Sequence, residues 1–354
     1  MKSANAYKVT MKEIADMAGM SVMTVSRVLA GKECCSNKTK EKITKIAKKC
    51  GYLPNMLGRS LVMNRFNTIG VVIPNIVHAF FPIIVNAIED ALSPYGFNTF
   101  LCCSHDNPEI EAKKVRTLLE YRVAGIIMMP SLRSELSKKT AELVLNSGVP
   151  LMLVDRTIKG IKTDTISWES ENAIEEIVDD LYKKGCRKFV YICGDKSEWK
   201  SRGRTRGFIE SLKRRKLSPQ AMLFCPQKGD IETSLKNFCR NAKNRPDAFC
   251  CAADTFIDET ISALNDLNIS VPQDAALTGF GGIINSVNSR IKITTVKQDA
   301  DLMGSEAARI IMKRVLGNAP AELPKQFVKM TIPLKVEHNE SSDYRPNVRR
   351  KHLA

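Results

Sequence analysis

The order of hydrophobic and polar residues divides the chain into a helical beginning and a longer part in which strands and helices alternate. In residues 11–19, MKEIADMAG, apolar side chains recur every three or four positions, the spacing of one inward-facing helical stripe. From Asn67 the pattern changes to short continuous apolar runs, of which TIGVVIP is the first. Such runs are typical of strands buried on both faces. The change predicts two regions with different architectures.

Three short helices are predicted in the first 51 residues. Thr10 and Glu13 form a capping box at the start of the first helix, and Gly19 ends it. Ser21 is placed to cap a second helix that runs to about Ala30. A third helix, KTKEKITKIAKKCG, has apolar residues on one side and a row of lysines on the other. Two helices joined by a short turn that contains Gly form a helix-turn-helix.

After residue 67 the alternation of apolar runs and amphipathic stretches predicts parallel sheets with helices on both faces. The strands are too many for one small sheet, and they divide into two lobes near residue 168. The predicted strands are TIGVVIP, FNTFLCC, AGIIMMP, PLMLVD, KFVYICG, AMLFC, AFCCAA and AALTGF. The predicted helices are FFPIIVNAIEDALSPYG and residues 109–122, 134–147, 169–184, 203–215, 231–243 and 256–267.

Positive charge is concentrated at the beginning of the chain. The net charge is +16, and residues 1–60 carry 12 Lys and Arg against 4 Asp and Glu, a net of +8. Such a concentration indicates a polyanionic partner, either nucleic acid or an anionic membrane surface. No run of about 18 apolar residues is present, so we expect no membrane span. The N-terminus has no apolar signal core, so we expect a cytoplasmic protein.

Cysteine and histidine do not form the patterns of a cofactor or catalytic site. The 11 Cys include no C-x-x-C, which argues against a disulfide framework or zinc site and favours reduced thiols. Cys34 and Cys35, in a polar loop, are the pair we expect to be accessible. The chain has no P-loop, no H-E-x-x-H and no nucleophile elbow, and GFGGIIN lacks the third Gly of a dinucleotide fingerprint. We therefore expect no enzyme, no cofactor and no metal site.

The second predicted helix, within GMSVMTVSRVL, has two distinct faces. Val25, Val28 and Leu29 are spaced to pack on the first helix. Its polar residues face outward and suit phosphate oxygens and base edges in a major groove. Val22 and Met23 cannot donate hydrogen bonds to a base, but they can contact the methyl group of thymine. We therefore expect modest discrimination at the base pair they contact, with T·A favoured.

These segments resemble the lactose/galactose-repressor family of bacterial transcription regulators. The resemblance lies in VTMKEIADMAGMSVMTVSRVLAGK and KTKEKITKIAKKCGYLPNMLGRSL, and continues through TIGVVIP, AGIIMMP, PLMLVDR, RGF, VPQDAALTGF and ITTVKQD, over roughly residues 8–335. It implies an all-α helix-turn-helix headpiece and an α/β periplasmic-binding-protein-like core of two parallel-sheet subdomains with a ligand cleft between them. It also implies a homodimer that binds double-stranded, pseudo-palindromic operator DNA.

The resemblance sets the expected domain boundaries. The DNA-binding domain covers 8–52, the hinge helix and linker 53–66, and the effector-binding and dimerisation core 67–338. Within the core, the N-subdomain is expected at about 67–167 plus 296–327 and the C-subdomain at about 168–295 plus 328–338. The basic tail, 339–354, is polar and expected to be disordered.

The expected DNA contacts follow from the same resemblance. The hinge helix enters the minor groove in this family, and Leu61 matches the leucine that is wedged between base pairs. Gly58 stands where the family commonly has Ala, which costs about 1 kcal/mol of helix propensity. We therefore expect a hinge that folds only on operator binding. The DNA-binding residues assigned in this way are Thr10, Ser21, Val22, Met23, Thr24, Ser26, Arg27, Asn55, Gly58, Arg59 and Leu61.

The expected effector contacts are carried over in the same way. Arg204 matches an arginine that grips oxygen atoms of the effector, a role for which a guanidinium is suited. Phe80 and Phe81 lie where the first core helix meets the ligand, either as core residues or stacked on a sugar ring. Trp199, Trp168 and Asp254 complete the expected set.

Two positions in this predicted cleft depart from the family pattern. Ala253 stands where the family usually has Asn, and Gly281 stands where it usually has an acidic residue. Some sucrose-repressor-like members also read GFGG, so the departure at Gly281 is compatible with a sugar. It nevertheless leaves the chemical class of the effector open.

We expect a DNA-binding transcription regulator, a repressor that responds to a small molecule, a sugar or sugar derivative, in the cleft. One alternative is an operator-binding or DNA-bending protein with a degenerate or non-sugar cleft, as Ala253 and Gly281 would allow. Another is a sugar-binding or sugar-processing protein whose basic N-terminus is incidental. Sequence-preferred, salt-sensitive DNA binding distinguishes the regulator from this last alternative.

Overall fold

The computed structural model divides the chain into two compact units, Met1–Phe66 and Asn67–Ala354. Among the residues it describes, no helix combines the length and the apolar character that crossing a membrane requires. The described residues are 9–29, 35–52, 67–131, 134–194, 203–227, 229–241, 245–283, 291–317 and 326–345.

The first unit contains the three predicted helices, α1 (Met11–Ala18), α2 (Val22–Leu29) and α3 (Asn37–Lys49). The capping box is present at the start of α1, and Gly19 ends this helix in the left-handed conformation with a φ of 67°. The Ser21 hydroxyl accepts a hydrogen bond from the Thr24 N–H at 3.1 Å and so caps α2. Caps of this kind satisfy backbone groups that short helices otherwise leave unpaired.

One small apolar core holds these three helices together. Leu29 and Ile46 are only partly buried and pack at its margin. The buried members come from all three helices, as the spacing of the apolar residues predicts: Ile14, Ala15, Ala18, Val25, Val28, Ile43 and Ala47.

The second unit contains two six-stranded sheets. The strands are β1 (Thr68–Ile73), β2 (Asn98–Cys103), β3 (Gly125–Met128), β4 (Leu151–Asp155), β5 (Asp164–Glu169), β6 (Phe189–Cys193), β7 (Ala221–Phe224), β8 (Ala248–Cys251), β9 (Ala276–Gly281), β10 (Thr294–Lys297), β11 (Lys329–Pro333) and β12 (Lys335–Glu337). The first sheet has the order β11-β5-β4-β3-β1-β2, and the second has the order β12-β10-β9-β8-β6-β7. All neighbouring strands are parallel except β10 and β12.

Helices cover both faces of each sheet, which is why the inner strands are continuously apolar. β1 is buried along its whole length, as TIGVVIP predicts. The helices are α4 (Phe80–Leu92), α5 (Pro108–Glu120), α6 (Ser134–Asn146), α7 (Ser170–Lys183), α8 (Gly203–Arg214), α9 (Asp230–Asn241), α10 (Ile257–Asp266) and α11 (Ala300–Leu316).

The C-terminal strands differ from the expected division of the core. Residues 328–338 are expected in the C-subdomain, but β11 pairs with β5 and so belongs to the first sheet. Asp164 fixes this strand in place, because its carboxylate accepts hydrogen bonds from the Arg314 guanidinium, at 2.8 Å to each oxygen, and from the Val328 N–H at 2.7 Å. β10 extends to Lys297 within the second sheet, slightly beyond the expected boundary at residue 295.

The basic tail was expected to be disordered from residue 339, but residues 339–345 are ordered against the second sheet. Ser341 and Ser342 are buried there, and the Ser341 hydroxyl accepts a hydrogen bond from the Thr294 N–H at 2.9 Å.

Candidate functional site

The outward face of α2 carries apolar and polar side chains together. Val22 and Met23 are 45% and 65% exposed, and Ser26 and Arg27 are exposed beside them. Thr24 is half-buried, and its hydroxyl lies 2.9 Å from that of Ser21. The Ser21 and Thr24 hydroxyls are therefore partly engaged in the helix cap, whereas Val22 and Met23 make up the most exposed part of this face.

The surface of the first unit has three further features. Thr10 is exposed, but its N–H donates a hydrogen bond to the Glu13 carboxylate at 2.6 Å. This hydrogen bond lowers the pKa of Glu13. Met17 and Met20, which no sequence motif indicated, are exposed as well. A row of exposed cations lies on α3: Lys38, Lys42, Lys45, Lys48 and Lys49.

Several predicted residues lie outside the described residues. These are the hinge residues Asn55, Gly58, Arg59 and Leu61, together with Trp199 and Cys34. The other cysteine of the polar loop, Cys35, is half-buried and packs against the core of the first unit.

A cavity of about 450 Å³ lies where the carboxyl ends of the two sheets meet. Loops at the carboxyl ends of parallel strands are where ligands bind in open α/β sheets. The lining residues that end or follow strands of the first sheet are His78, Asp106, Asp155 and Arg156. Those that end or follow strands of the second sheet are Gly194, Ala253, Asp254, Gly281 and Gln298.

Arg204, one of the residues expected to bind the effector, lines this cavity from the first turn of α8. Its guanidinium lies 4.2 Å from the centre of the Phe280 ring. Its Nη1 donates to the carbonyl oxygen of Ala252 at 2.5 Å. These two contacts orient a planar cation along the cavity wall, which suits it to pair with ligand oxygens.

Phe80 and Phe81 are core residues whose rings also line the cavity. They are only 5% and 8% exposed, and their ring centres are 5.4 Å apart. Trp168 packs against Phe80 with ring centres 6.2 Å apart. The aromatic group therefore supplies an apolar wall that belongs to the core of the first sheet.

Asp254 has a structural environment that the sequence did not predict. Its Oδ1 accepts a hydrogen bond from the Thr295 hydroxyl at 2.8 Å, and its Oδ2 accepts one from the Ile283 N–H at 2.9 Å. Burial raises the pKa of this carboxyl, and the hydrogen bonds oppose that shift. Asp254 lines the cavity, but both of its oxygens already have partners within the protein.

Gly281, where the family pattern usually has an acidic residue, lies beside this carboxylate. Gly281 has a φ of 138°, a conformation that side chains rarely adopt, and a Cβ there would lie 3.2 Å from the Oδ2 of Asp254. The Cβ of an acidic side chain at this position would therefore lie close to the buried carboxylate of Asp254. The glycine therefore fits a cavity wall in which Asp254 supplies the negative charge.

A second cavity, of about 650 Å³, shares Asp155, Arg156 and Arg204 with the first. Asp155 accepts a hydrogen bond from the Trp168 ring N–H at 2.7 Å. Arg156 pairs with Asp106 and donates to the Pro130 carbonyl oxygen at 3.1 Å. The sequence motifs did not reveal Asp106, Asp155 and Arg156, although these residues lie at or shortly after the ends of predicted strands, which was a usable signal.

His78 lines the first cavity, and its ring accepts a hydrogen bond from the backbone. Its Nδ1 accepts a hydrogen bond from the Phe80 N–H at 3.3 Å. Burial, and secondly the charge of Arg204, lower the pKa of His78. An Nδ1 that accepts a hydrogen bond leaves Nε2 as the protonated nitrogen of a neutral ring.

Comparison with known proteins relates both units to one group. A family model for bacterial regulatory proteins of the lacI family matches residues 10–55, and one for a periplasmic binding protein-like domain matches residues 178–333. The HTH-type transcriptional regulator RegA of Clostridium saccharobutylicum is 31% identical over 310 residues, which cover 86% of this chain and 92% of RegA.

Two solved structures have the same fold. The lac repressor dimer bound to operator and the anti-inducer ONPF matches 95% of this chain and 99% of its own, with a TM-score of 0.84 and 22% identity. A transcriptional regulator CelR–cellobiose complex matches 94% of this chain and all of its own, with a TM-score of 0.66 and 21% identity. At 22% and 21% identity, these two structures support the assignment of the fold and nothing further.

Proposed function

This chain belongs to the lacI family of bacterial regulatory proteins, and we propose that it is a repressor whose DNA binding responds to a small carbohydrate. It binds a pseudo-palindromic operator as a dimer. The observation that carries the proposal is the combination, in one chain, of a helix-turn-helix with an exposed second helix and a polar cavity between two sheets. A ligand regulates DNA binding only if its affinity differs between the DNA-bound and free states.

The cavity supports a carbohydrate as effector by its mixture of groups. Aromatic rings of Phe80, Phe81 and Phe280 provide apolar surface, while Arg204 and the acidic residues provide hydrogen-bonding groups. Ligand sites commonly combine an apolar lining with a few placed polar groups. One solved relative, CelR, is described in complex with cellobiose, which makes a sugar the first class to test.

A gel-shift titration with the DNA upstream of the protein's own gene tests the proposal. We expect one preferred sequence, affinity that falls steeply with salt concentration, and a change in affinity when the correct sugar is added. Binding without sequence preference would overturn the regulator role at this DNA. Preferred binding that no sugar alters would instead favour an operator-binding or DNA-bending protein with a non-sugar cleft.

Thymine-to-uracil substitution in each operator half-site tests the role of Val22 and Met23. Uracil lacks only the C5-methyl group, so a base pair contacted through that group should lose about fourfold in affinity, the equivalent of one buried carbon. Met23→Ala should remove the difference between thymine and uracil at that base pair. Equal binding of every uracil-substituted operator would show that these side chains do not contact thymine methyl groups.

A second copy of this chain is the partner we propose for the edge strand β2. Phe100 and Leu101 are 42% and 43% exposed on this strand, which ends the order of the first sheet. The ring of exposed Tyr121 lies 5.5 Å from that of Phe100, centre to centre. An exposed apolar edge of this kind is prone to pair with another chain, so natural proteins usually cover it. The solved lac repressor of the same fold is described as a dimer.

Leu101→Lys should therefore convert the dimer into a monomer. A lysine on each of two facing edges places like charges together and removes apolar contact, so operator affinity should fall by about tenfold or more. Sedimentation velocity measures the change in mass, and gel shift measures the loss of affinity. Leu143→Lys, at an exposed leucine of α6, is the matched control and should leave the dimer intact. A dimeric Leu101→Lys variant would exclude β2 from the interface.

A further inference from the structure

Exposed methionines are concentrated in one short segment of the first unit. Among the methionines that the structure describes, three are exposed, and all of them lie within residues 17–23. They are Met17, Met20 and Met23, with exposed fractions of 50%, 37% and 65%. The described methionines of the second unit are buried or half-buried: Met128, Met129, Met152, Met222, Met303, Met312 and Met330. A reagent in solution that reacts with thioethers therefore meets residues 17–23 first.

Met23 is the most accessible of these three methionines. It lies in the first turn of α2, and the sulfur is the second-last heavy atom of its side chain, so an exposed side chain brings the sulfur into solvent. Met17 differs, because the Cys50 thiol donates a hydrogen bond to its sulfur over 3.9 Å. That contact engages a sulfur lone pair, the electron pair with which a thioether reacts. We therefore expect Met23 to react with an oxidant before Met17.

The position of Met23 connects its oxidation to DNA binding. Together with Val22 it makes up the most exposed part of the α2 face, where we expect apolar contact with thymine methyl groups. Oxidation to the sulfoxide converts the apolar side chain into a polar, chiral one. The sulfoxide oxygen would then be buried against a methyl group that donates no hydrogen bond, which costs free energy. Oxidation of Met23 should therefore weaken operator binding.

We propose that Met23 is a modification site through which hydrogen peroxide lowers the affinity of this regulator for its operator. The inference rests on the proposed function and adds an oxidant to the signals that regulate it. A lone pair of the Met23 sulfur attacks one oxygen of hydrogen peroxide, so that an S–O bond forms as the O–O bond breaks. The sulfur loses two electrons, and the other oxygen takes the proton of the attacked oxygen and leaves as water. Methionine sulfoxide reductases return the product to methionine, so the modification is reversible.

Gel shift of the full chain before and after treatment with hydrogen peroxide tests the inference, with the DNA upstream of the protein's own gene as the probe. Dithiothreitol is added after the peroxide, because it reduces oxidised thiols but leaves methionine sulfoxide unchanged. We expect treatment to lower the affinity by about tenfold, the cost of burying one polar group without a partner. Incubation with methionine sulfoxide reductases should then restore the affinity.

Two variants assign the response to one side chain. Met23→Leu keeps an apolar side chain without sulfur, so its affinity should be the same before and after peroxide treatment. Met20→Leu, the same substitution at another exposed methionine, is the matched control and should lose affinity on treatment as the wild type does. Each variant is compared with its own untreated sample, so a change in affinity caused by the substitution itself does not enter the comparison.

Mass spectrometry locates the added oxygen. Trypsin should release residues 13–27 as one peptide that contains all three exposed methionines, and fragmentation of this peptide distinguishes them. We expect Met23 to be oxidised faster than Met17. Bound operator should slow the oxidation of Met23 severalfold, because a side chain in contact with a base is shielded from peroxide. Met128, which is buried, is the internal reference and should remain unmodified.

The ways in which the inference would fail are distinguishable from failure of the proposed function. Unchanged affinity when Met23 is fully oxidised, or a peroxide response retained in Met23→Leu, would overturn the inference and leave the regulator function in place. Equal rates of Met23 oxidation in the free and operator-bound protein would show that this side chain does not contact DNA, which also overturns the inference. Binding of the untreated protein without sequence preference would overturn the regulator function at this DNA, and the inference with it.

Discussion

Gly279→Ala is expected to destabilise the second unit by about 3 kcal/mol, one of the two largest effects we predict. Gly279 lies in β9, and its backbone conformation is one that alanine adopts without strain. The cost arises from packing, because a Cβ at this position would overlap the Oδ1 of Asp254. To make room, the carboxylate must move away from the Thr295 hydroxyl and the Ile283 N–H, leaving both donors without their acceptor. Urea unfolding monitored by circular dichroism measures the change.

A double-mutant cycle separates this mechanism from a general intolerance of β9 to substitution. Asp254→Ala is itself destabilising, because it removes the acceptor of the same two donors. In that background, Gly279→Ala should cost less than about 1 kcal/mol, since the overlapping atoms are absent. Gly203→Ala, where a Cβ would have no neighbour closer than 3.8 Å, is the matched control and should be near neutral. An equal cost of Gly279→Ala in both backgrounds would contradict the mechanism.

The alternation of strands and helices was predictable because the inner strands are buried on both faces. β1, β3 and β6 read as continuous apolar runs for this reason. β5 and β10 were not predicted, since DTISWE and TTVK contain more polar than apolar residues. β10 is nevertheless mostly buried, because its threonines are enclosed by neighbouring strands and by Ser341 and Ser342. The sequence of a single strand does not contain that information.

The helix α11 was also missed, and its sequence explains why. Gly304 lowers the helix propensity of the segment, but the structure requires glycine there, since a Cβ would lie 2.5 Å from the carbonyl oxygen of Ile84 in α4. The glycine allows the two helices to pack closely. A weak local propensity is therefore offset by a contact between residues more than 200 positions apart, which local patterns cannot reveal.

The candidate site was predictable only in part, and for a related reason. Arg204, Phe80 and Phe81 were assigned from motifs, and the structure brings all three to one cavity. Asp254 was assigned to the ligand, but its hydrogen bonds come from Ile283 and Thr295, 29 and 41 residues away. Whether an acid faces a ligand or supports a loop depends on such distant partners.

Val25→Asp is the other substitution with a large expected effect, and we expect it to abolish operator binding. Val25 is fully buried in the small core of the first unit, where an ionised carboxylate has no partner. This substitution should cost several kcal/mol, which exceeds the free energy of unfolding that so small a core provides. The helices α1, α2 and α3 should therefore unfold together. Loss of helical circular dichroism and gel shift measure the two consequences. The second unit has its own cores, so its unfolding transition and its response to sugar should persist.

Val22→Asp provides the matched control, because it places the same charge on the same helix at an exposed position. The first unit should keep its helical signal, yet operator affinity should still fall, since a carboxylate on this face repels DNA phosphates. The pair of variants therefore separates folding of the unit from contact with DNA. Retained operator binding in Val25→Asp would show that α2 is not the DNA-binding element. Loss of the second unit's transition in that variant would show that the two units do not fold independently.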